Sequence, residues 1–94
     1  MRLDKFLKVS RLVKRRTLAK EICLAGGVEL NRRPAKAGSE VKPGDILSLN
    51  LGGRWLTVEV LATPESVPAS EARNLYRVLA EGKTLDSRFG ASDK

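Results

Sequence analysis

Apolar residues near the start of the chain recur at helical spacing in two short runs. Leu3, Phe6 and Leu7 mark the first run, and residues 18–25 carry the second. Side chains three and four positions apart share one face of a helix, so this spacing predicts two short amphipathic helices. Gly26-Gly27 is expected to end the second helix, because glycine accepts a positive φ just past the last helical position.

The middle of the chain alternates between apolar and polar residues, which is typical of strands. Residues 28–30 form the first such run, and 31–34 read as a hairpin turn whose proline stops the ladder. A tight turn at 42–45 leads into two longer runs, 46–51 and 54–60, and the two glycines between them favour a hairpin. The residues expected on the buried face of this hairpin are Leu47, Leu49, Leu51, Leu56, Val58 and Val60.

The last third of the chain predicts a linker, a helix and a tail. Residues 63–68 are polar and contain two prolines, and an apolar stripe at helical spacing then predicts a third helix that ends at Gly82. Trp55 is expected to pack against this helix in the core rather than to stack on a base. Residues 83–94 are predicted to be a flexible tail. The stripe consists of Ala72, Leu75, Tyr76 and Leu79.

Composition excludes most enzymatic devices. The chain has 94 residues, enough for one core, and contains no histidine and one cysteine, Cys23. A structural zinc site, a histidine base and a Cys–His nucleophile pair are therefore excluded, and no phosphate-binding glycine loop appears. Cys23 shares the apolar side of the second helix with Leu18 and Ile22, so we expect it to be buried. We predict a non-enzymatic binding protein with no catalytic residue, metal or cofactor.

The net charge of +7 is concentrated at one end of the chain. Residues 1–20 hold eight basic residues and one acid, Asp4, whereas residues 21–94 hold ten of each sign. RNA fits such a surface, because each phosphate that a cation neutralises releases condensed counterions. A solvated helix face and a membrane surface are alternatives, but the near absence of acids and the small apolar face disfavour them. The expected RNA-binding residues are Arg2, Lys5, Lys8, Arg11, Lys14, Arg15, Arg16 and Lys20.

The basic residues have a definite placement on the two predicted helices. Arg2, Lys5 and Lys8 share one stripe of the first helix. Residues 14–16 crowd the N-terminal end of the second helix, where the dipole is already positive, and a bound phosphate would relieve that repulsion. Asp4 has two interpretations: it orients Arg2 or Lys8 through a charge-assisted hydrogen bond, or it is a helix-start acid that matches the dipole.

Ordered motifs over residues 1–60 resemble the S-four RNA-binding domain. They are Arg-Leu-Asp-Lys-Phe-Leu at 2–7, Arg-Thr-Leu-Ala-Lys at 16–20 with Gly26-Gly27, Val-Glu-Leu-Asn at 28–31, and Lys36 followed by Val-Lys-Pro-Gly-Asp-Ile at 41–46. The resemblance implies an α+β fold called the alpha-L motif, in which two N-terminal helices pack on a small bent antiparallel sheet and bind RNA. We expect an RNA-binding domain at 1–62, with the linker and C-terminal helix at 63–82 packed on it.

The chain departs from the family pattern at two positions. Arg32 follows the strand asparagine where the family often has glycine, and Arg15 stands where a small helix-capping residue is common. Both departures add phosphate-binding capacity.

Within that family, the sequence is similar to bacterial proteins of ribosome-associated quality control. The similarity lies in the first eleven residues, in Lys-Arg-Arg-Thr-Leu-Ala-Lys at 14–20 and in Asn-Leu-Tyr at 74–76. It implies binding to the large ribosomal subunit with an obstructed peptidyl-tRNA, and stabilisation of that tRNA in the P site while a partner adds C-terminal alanine tails. The implied partners are large-subunit rRNA, peptidyl-tRNA and a tail-synthesising factor. We expect a monomeric, cytoplasmic, ribosome-associated protein that does not bind membranes.

Three other functions are considered. A general rRNA-binding assembly or recycling factor of the heat-shock S-four type is the first, although those proteins have a longer basic tail. An enzyme is the second, because S-four domains precede pseudouridine synthase domains whose motif also contains Arg-Leu-Asp, but 94 residues leave no room for a catalytic domain. The third is a protein adaptor that binds through Trp55 and the third helix, with an affinity nearly independent of salt.

Overall fold

A computed structural model describes residues 1–51, 53–65 and 67–83, and it confirms the α+β, S-four-like fold. Two short helices come first, followed by a sheet of antiparallel strands. A 3-10 helix, Ala69–Leu75, precedes the last strand. The helices and strands are α1 (Leu3–Val9), α2 (Arg16–Leu24), β1 (Val28–Leu30), β2 (Arg33–Pro34), β3 (Ile46–Asn50), β4 (Arg54–Val60) and β5 (Tyr76–Lys83). The strands lie in the sheet in the order β2-β1-β3-β4-β5.

The helix pair packs onto the sheet through the apolar face of α1. Leu3, Phe6 and Leu7 are completely buried, as their helical spacing predicts. On α2 the buried side is narrower than expected, because Cys23 lies in the core whereas Leu18 is 42% exposed. The predicted burial of Cys23 is therefore confirmed, and this burial raises the pKa of its thiol.

The central hairpin has the predicted register. Leu47 pairs with Val58 and Leu49 with Leu56, and all four side chains are buried. Gly44 has a φ of 96° in the turn before β3, the left-handed conformation expected of a type II turn. The alternation of apolar residues in these two strands thus specified both the pairing and the buried face.

The hairpin formed by β1 and β2 is a two-residue turn with an unusual tip. Asn31 and Arg32 have φ values of 53° and 70°, as the type I′ geometry requires. The left-handed conformation costs a residue with a side chain about 1 kcal/mol. Pro34 pairs with Glu29 instead of stopping the ladder, because β2 is an edge strand and the proline nitrogen faces away from β1.

The third helix is present but shorter than predicted. It ends at Leu75, and the predicted continuation through Leu79 to Gly82 is wrong because these residues belong to β5, which pairs along β4. The apolar spacing fits a helix as well as a strand with one bulge, and the register shift opposite Thr57 and Val58 supplies that bulge. Pairing satisfies the backbone groups that β4 would otherwise expose at a sheet edge.

Trp55 is not a core residue, contrary to our expectation. Its side chain is 41% exposed, and Trp55 pairs across β4 and β5 with Gly82. A Cβ atom at Gly82 would lie 2.7 Å from the indole nitrogen, so the ring covers the bare glycine backbone. The predicted tail at 83–94 lies outside the described residues except for Lys83, the last residue of β5.

Candidate nucleic-acid interface

A buried carboxylate links the starts of the two helices. Asp4, in the first turn of α1, is completely buried, and its Oδ1 accepts hydrogen bonds from the Lys5 backbone N–H at 2.8 Å and from Arg2 Nε at 3.3 Å. Arg16, the first residue of α2, approaches from the other helix. Its Nε lies 3.2 Å from Oδ2, and its Nη2 donates to Oδ1 at 3.4 Å. One carboxylate therefore holds two arginines side by side.

The electrostatics of this cluster favour a bound anion. Burial raises the pKa of Asp4, but the hydrogen bonds from Arg16 and Arg2 outweigh that effect and hold the pKa below its ordinary value. The ionised group leaves the two arginines with a net charge of +1. The Arg2 and Arg16 side chains are 54% and 43% exposed. Each guanidinium thus keeps several N–H donors free of Asp4 and open to solvent.

Asp4 therefore has the geometry of an orienting acid, which is one of its two interpretations from the sequence. Of its two arginine partners, Arg2 is predicted by the sequence and Arg16 is not. Arg2, one of the two predicted partners, contacts Asp4, whereas Lys8, the other, does not. Arg16 was predicted to bind RNA but not to contact Asp4. The contact joins residues twelve positions apart and depends on the turn between the helices.

The segment 37–40 supports the start of α1 and was not predicted from the sequence. The Leu3 N–H donates to the carbonyl of Ser39 at 2.8 Å, and the Asp4 N–H donates to the carbonyl of Ala37 at 3.0 Å. These are first-turn N–H groups, which a helix cannot satisfy internally. A Cβ atom at Gly38 would lie 3.6 Å from the Arg2 guanidinium, so this side chain rests against the segment.

Lys8, Arg11 and Lys14 form a second basic group at the turn between the helices. They line a cleft of about 550 Å³ together with Val13 and Val67. Arg11 has a φ of 63°, and its N–H donates to the Lys8 carbonyl at 3.0 Å, which closes the end of α1. Among the described residues, these three cations have no ion pair with a carboxylate.

The remaining basic residues are more dispersed. Lys5 forms an ion pair with Glu65, an exposed linker acid that no sequence pattern marked as a partner. Arg15 precedes α2 without a side-chain capping bond, and the first turn of that helix contains no acid, so its positive end is open to an anion. Lys20 is exposed further along α2.

The rest of the described chain offers few other kinds of site. Across residues 1–51, 53–65 and 67–83, there is no group of three histidine, cysteine or carboxylate side chains that could hold a metal ion. No helix in these ranges is both long enough and apolar enough to span a bilayer. The clustered cations around Asp4 and at the turn between the helices are the feature that points to a ligand.

Comparisons with known proteins agree with the fold. The S4 domain family matches residues 1–47. The RQC P-site tRNA stabilizing factor of Bacillus subtilis is 52% identical over 83 residues, which cover 88% of this chain and 96% of that protein. The factor of the same name from Halalkalibacterium halodurans is 54% identical, with 86% and 92% covered. A trimeric structure of Vibrio cholerae Heat Shock Protein 15 has a TM-score of 0.79 at 33% identity, and the match covers 85% of this chain and 82% of that one.

Proposed function

The chain belongs to the S4-domain family of RQC P-site tRNA stabilizing factors, and on this basis we propose that it is a non-enzymatic RNA-binding factor of ribosome-associated quality control. In this role it binds the large ribosomal subunit that carries an obstructed peptidyl-tRNA. It stabilises the tRNA in the P site while a tail-synthesising factor adds alanine to the stalled chain. The protein acts in the cytoplasm, on the ribosome, as a monomer.

The observation that carries this proposal is the shared carboxylate of Asp4. Arginine binds phosphate through a planar set of N–H donors, and two arginines fixed on one surface can contact adjacent phosphates of a folded RNA. Asp4 fixes Arg2 and Arg16 in this way at the junction of the two helices. Such contacts position a protein on RNA without reading its sequence, which suits a factor that must act whichever tRNA occupies the P site.

The second basic group extends the same interface. Lys8, Arg11 and Lys14 lie at the far end of α1 from Arg2, on the turn that leads to α2. Together with Lys20 they add exposed cations along the helix pair. We expect about four to six phosphates to be neutralised, so the logarithm of affinity falls with the logarithm of salt with a slope of about −3 to −5.

Charge reversal of the two arginines that share Asp4 tests the proposal. The double variant Arg2→Glu/Arg16→Glu is expected to lose at least about a hundredfold in affinity for large subunits carrying peptidyl-tRNA, because it removes two phosphate contacts and adds repulsion. Co-sedimentation over a salt series measures this loss, and circular dichroism establishes that the variant folds. Arg73→Glu/Arg77→Glu makes the same change in net charge on the 3-10 helix and β5, and serves as the matched control. A folded Arg2/Arg16 variant that sediments undiminished at moderate salt would refute the proposed interface.

Crosslinking distinguishes this function from the alternative of an rRNA-binding assembly or recycling factor of the heat-shock type. The similarity to the Vibrio cholerae structure is the observation that favours this alternative. Crosslinks from the helix pair to both large-subunit RNA and P-site tRNA support quality control. Crosslinks to small-subunit RNA instead support a role in assembly. Since that neighbour is described as trimeric, sedimentation velocity of the free chain also tests whether it is a monomer.

A further inference from the structure

The tip of the β1–β2 hairpin carries an arginine in a conformation that arginine rarely adopts. Arg32 has a φ of 70° at the second position of the turn, where glycine is usual. Backbone strain at an exposed side chain points to a use for that side chain. Arg32 and its neighbour Arg33 are both exposed, and among the described residues neither forms an ion pair with a carboxylate.

Hydrogen bonds from Asn31 hold the turn, and among the described residues none of these bonds involves Arg32. The Asn31 N–H donates to the Ile46 carbonyl at 2.8 Å, and Asn31 Oδ1 accepts from the Ile46 N–H at 2.9 Å. Asn31 Nδ2 also donates to Asp45 Oδ1 at 3.1 Å, while the other oxygen of Asp45 accepts from the Lys42 N–H at 2.9 Å. These bonds account for the positive φ of Asn31 and occupy the nearby carboxylate. They leave the side chain of Arg32 without an internal role.

A shallow cleft lies beside the β1–β2 hairpin and reaches Ser39. Arg33 lines it together with Leu30, Ala35 and Ser39, and its volume is about 480 Å³. The carbonyl of Ser39 accepts the Leu3 N–H, next to Arg2 in the chain. The wall of the cleft therefore continues into the segment that supports the first phosphate-binding arginine.

We propose that Arg32 and Arg33 form a second phosphate-binding point for the RNA strand that contacts Arg2 and Arg16. The inference rests on the proposed function, since the strand is the one held at the Asp4 cluster. Within the described part of the chain these two exposed guanidinium groups have no partner acid, and they match the spaced negative charges of an RNA backbone. The hydrogen-bonded turn then holds the backbone of Arg32 in its left-handed conformation, with the side chain exposed at the tip.

Substitution of Arg32 by glycine distinguishes an effect on stability from an effect on binding. The midpoint of thermal unfolding should stay the same or rise, whereas the affinity for the large subunit should fall. Glycine accepts a positive φ freely, so Arg32→Gly is expected to keep or raise the midpoint of thermal unfolding. The same change should lower affinity for Bacillus subtilis large subunits carrying peptidyl-tRNA by about threefold to tenfold and reduce the salt slope by about one. Arg32→Lys keeps the charge in the same backbone and should retain most of the affinity.

Two further variants make the outcome decisive. Asparagine also accepts the left-handed conformation, so Arg32→Asn replaces the glycine variant if that variant is less stable than the parent. The inference is overturned if both neutral variants bind like the parent, or if their loss of affinity is independent of salt, which would indicate a protein contact. Arg2→Glu/Arg16→Glu is measured alongside: if that variant also binds undiminished, the proposed function fails rather than the assignment of Arg32 alone.

Discussion

The helix pair and the antiparallel pair of strands β4 and β5 both contain arginines, but they compensate the charge of those arginines differently. In this strand pair each arginine has its own carboxylate that reaches solvent: Arg54 contacts the exposed Glu81 at 3.5 Å, and Arg77 contacts the partly exposed Glu59. In the helix pair, two arginines share Asp4, whose carboxylate is completely buried. Ion pairs on the surface contribute little to the free energy of unfolding. Removal of a buried carboxylate costs more, because the N–H groups that donate to it lose their acceptor. For charge compensation and stability, the number of arginines therefore matters less than the number of carboxylates that they share. It also matters whether those carboxylates reach solvent.

Removing one carboxylate from each region tests this contrast most strongly. Asp4→Ala is expected to lower the free energy of unfolding by about 2–3 kcal/mol, because the Lys5 N–H and two guanidinium groups lose a buried acceptor. Glu81→Ala should change it by less than about 0.5 kcal/mol, since its partner Arg54 is solvated. Urea denaturation of both variants measures the difference. Equal losses would show that the two kinds of arginine pairing are energetically alike.

Asp4→Asn tests whether the shared carboxylate orients the arginines for RNA binding. The variant gains one unit of positive charge, so simple electrostatic attraction predicts tighter RNA binding. We expect the opposite, a loss of about tenfold in affinity for large subunits carrying peptidyl-tRNA, because Arg2 and Arg16 are no longer held in place. Binding titrations at two salt concentrations measure the loss. Unchanged or tighter binding would contradict an orienting role for Asp4.

Gly82→Ala tests the β4–β5 strand pair and leaves the residues of the helix pair unchanged. The added methyl group would lie 2.7 to 2.9 Å from atoms of the Trp55 indole, so the ring must move. We expect a loss of about 1 kcal/mol in unfolding free energy and a red shift in tryptophan emission. Affinity for the large subunit should stay at the parental level. A clear drop in affinity would instead bring Trp55 into the interface, as the adaptor alternative requires.

The smallest effect is expected at the linker. Glu65→Gln frees Lys5 from its ion pair, so stability should change by less than about 0.5 kcal/mol while affinity rises about twofold. Glu71→Gln makes the same charge change on the 3-10 helix and is the control for net charge. Equal rises in both variants would mean that the Lys5–Glu65 pair does not limit RNA binding.

Much of the fold follows from local pattern. Leu3, Phe6 and Leu7 specify α1, and the alternation around Leu47 and Val58 specifies the central hairpin. The last strand could not be predicted in this way, because its apolar spacing also fits a helix. The choice between them depends on the open edge of β4, which is a tertiary feature.

The candidate site likewise has a part that the sequence pattern predicts and a part that it does not. Clustered charge near the start of the chain marks all eight basic residues as candidates. It does not reveal that Arg16 reaches Asp4 or that Lys5 reaches Glu65, because these contacts join residues 12 and 60 positions apart. Nor does a pattern of residue types show that Arg32 has a positive φ, since asparagine followed by arginine only weakly specifies a type I′ turn.

The buried position of Asp4 also has a consequence for the thermodynamics of binding. A free arginine side chain loses up to about 2 kcal/mol of rotamer entropy when it is immobilised. Arg2 rests against Gly38, and both Arg2 and Arg16 are tied to one carboxylate, so much of this loss occurs during folding and before any ligand arrives. Binding by this preorganised pair should therefore have a smaller entropic penalty than binding by the exposed lysines on the same helices.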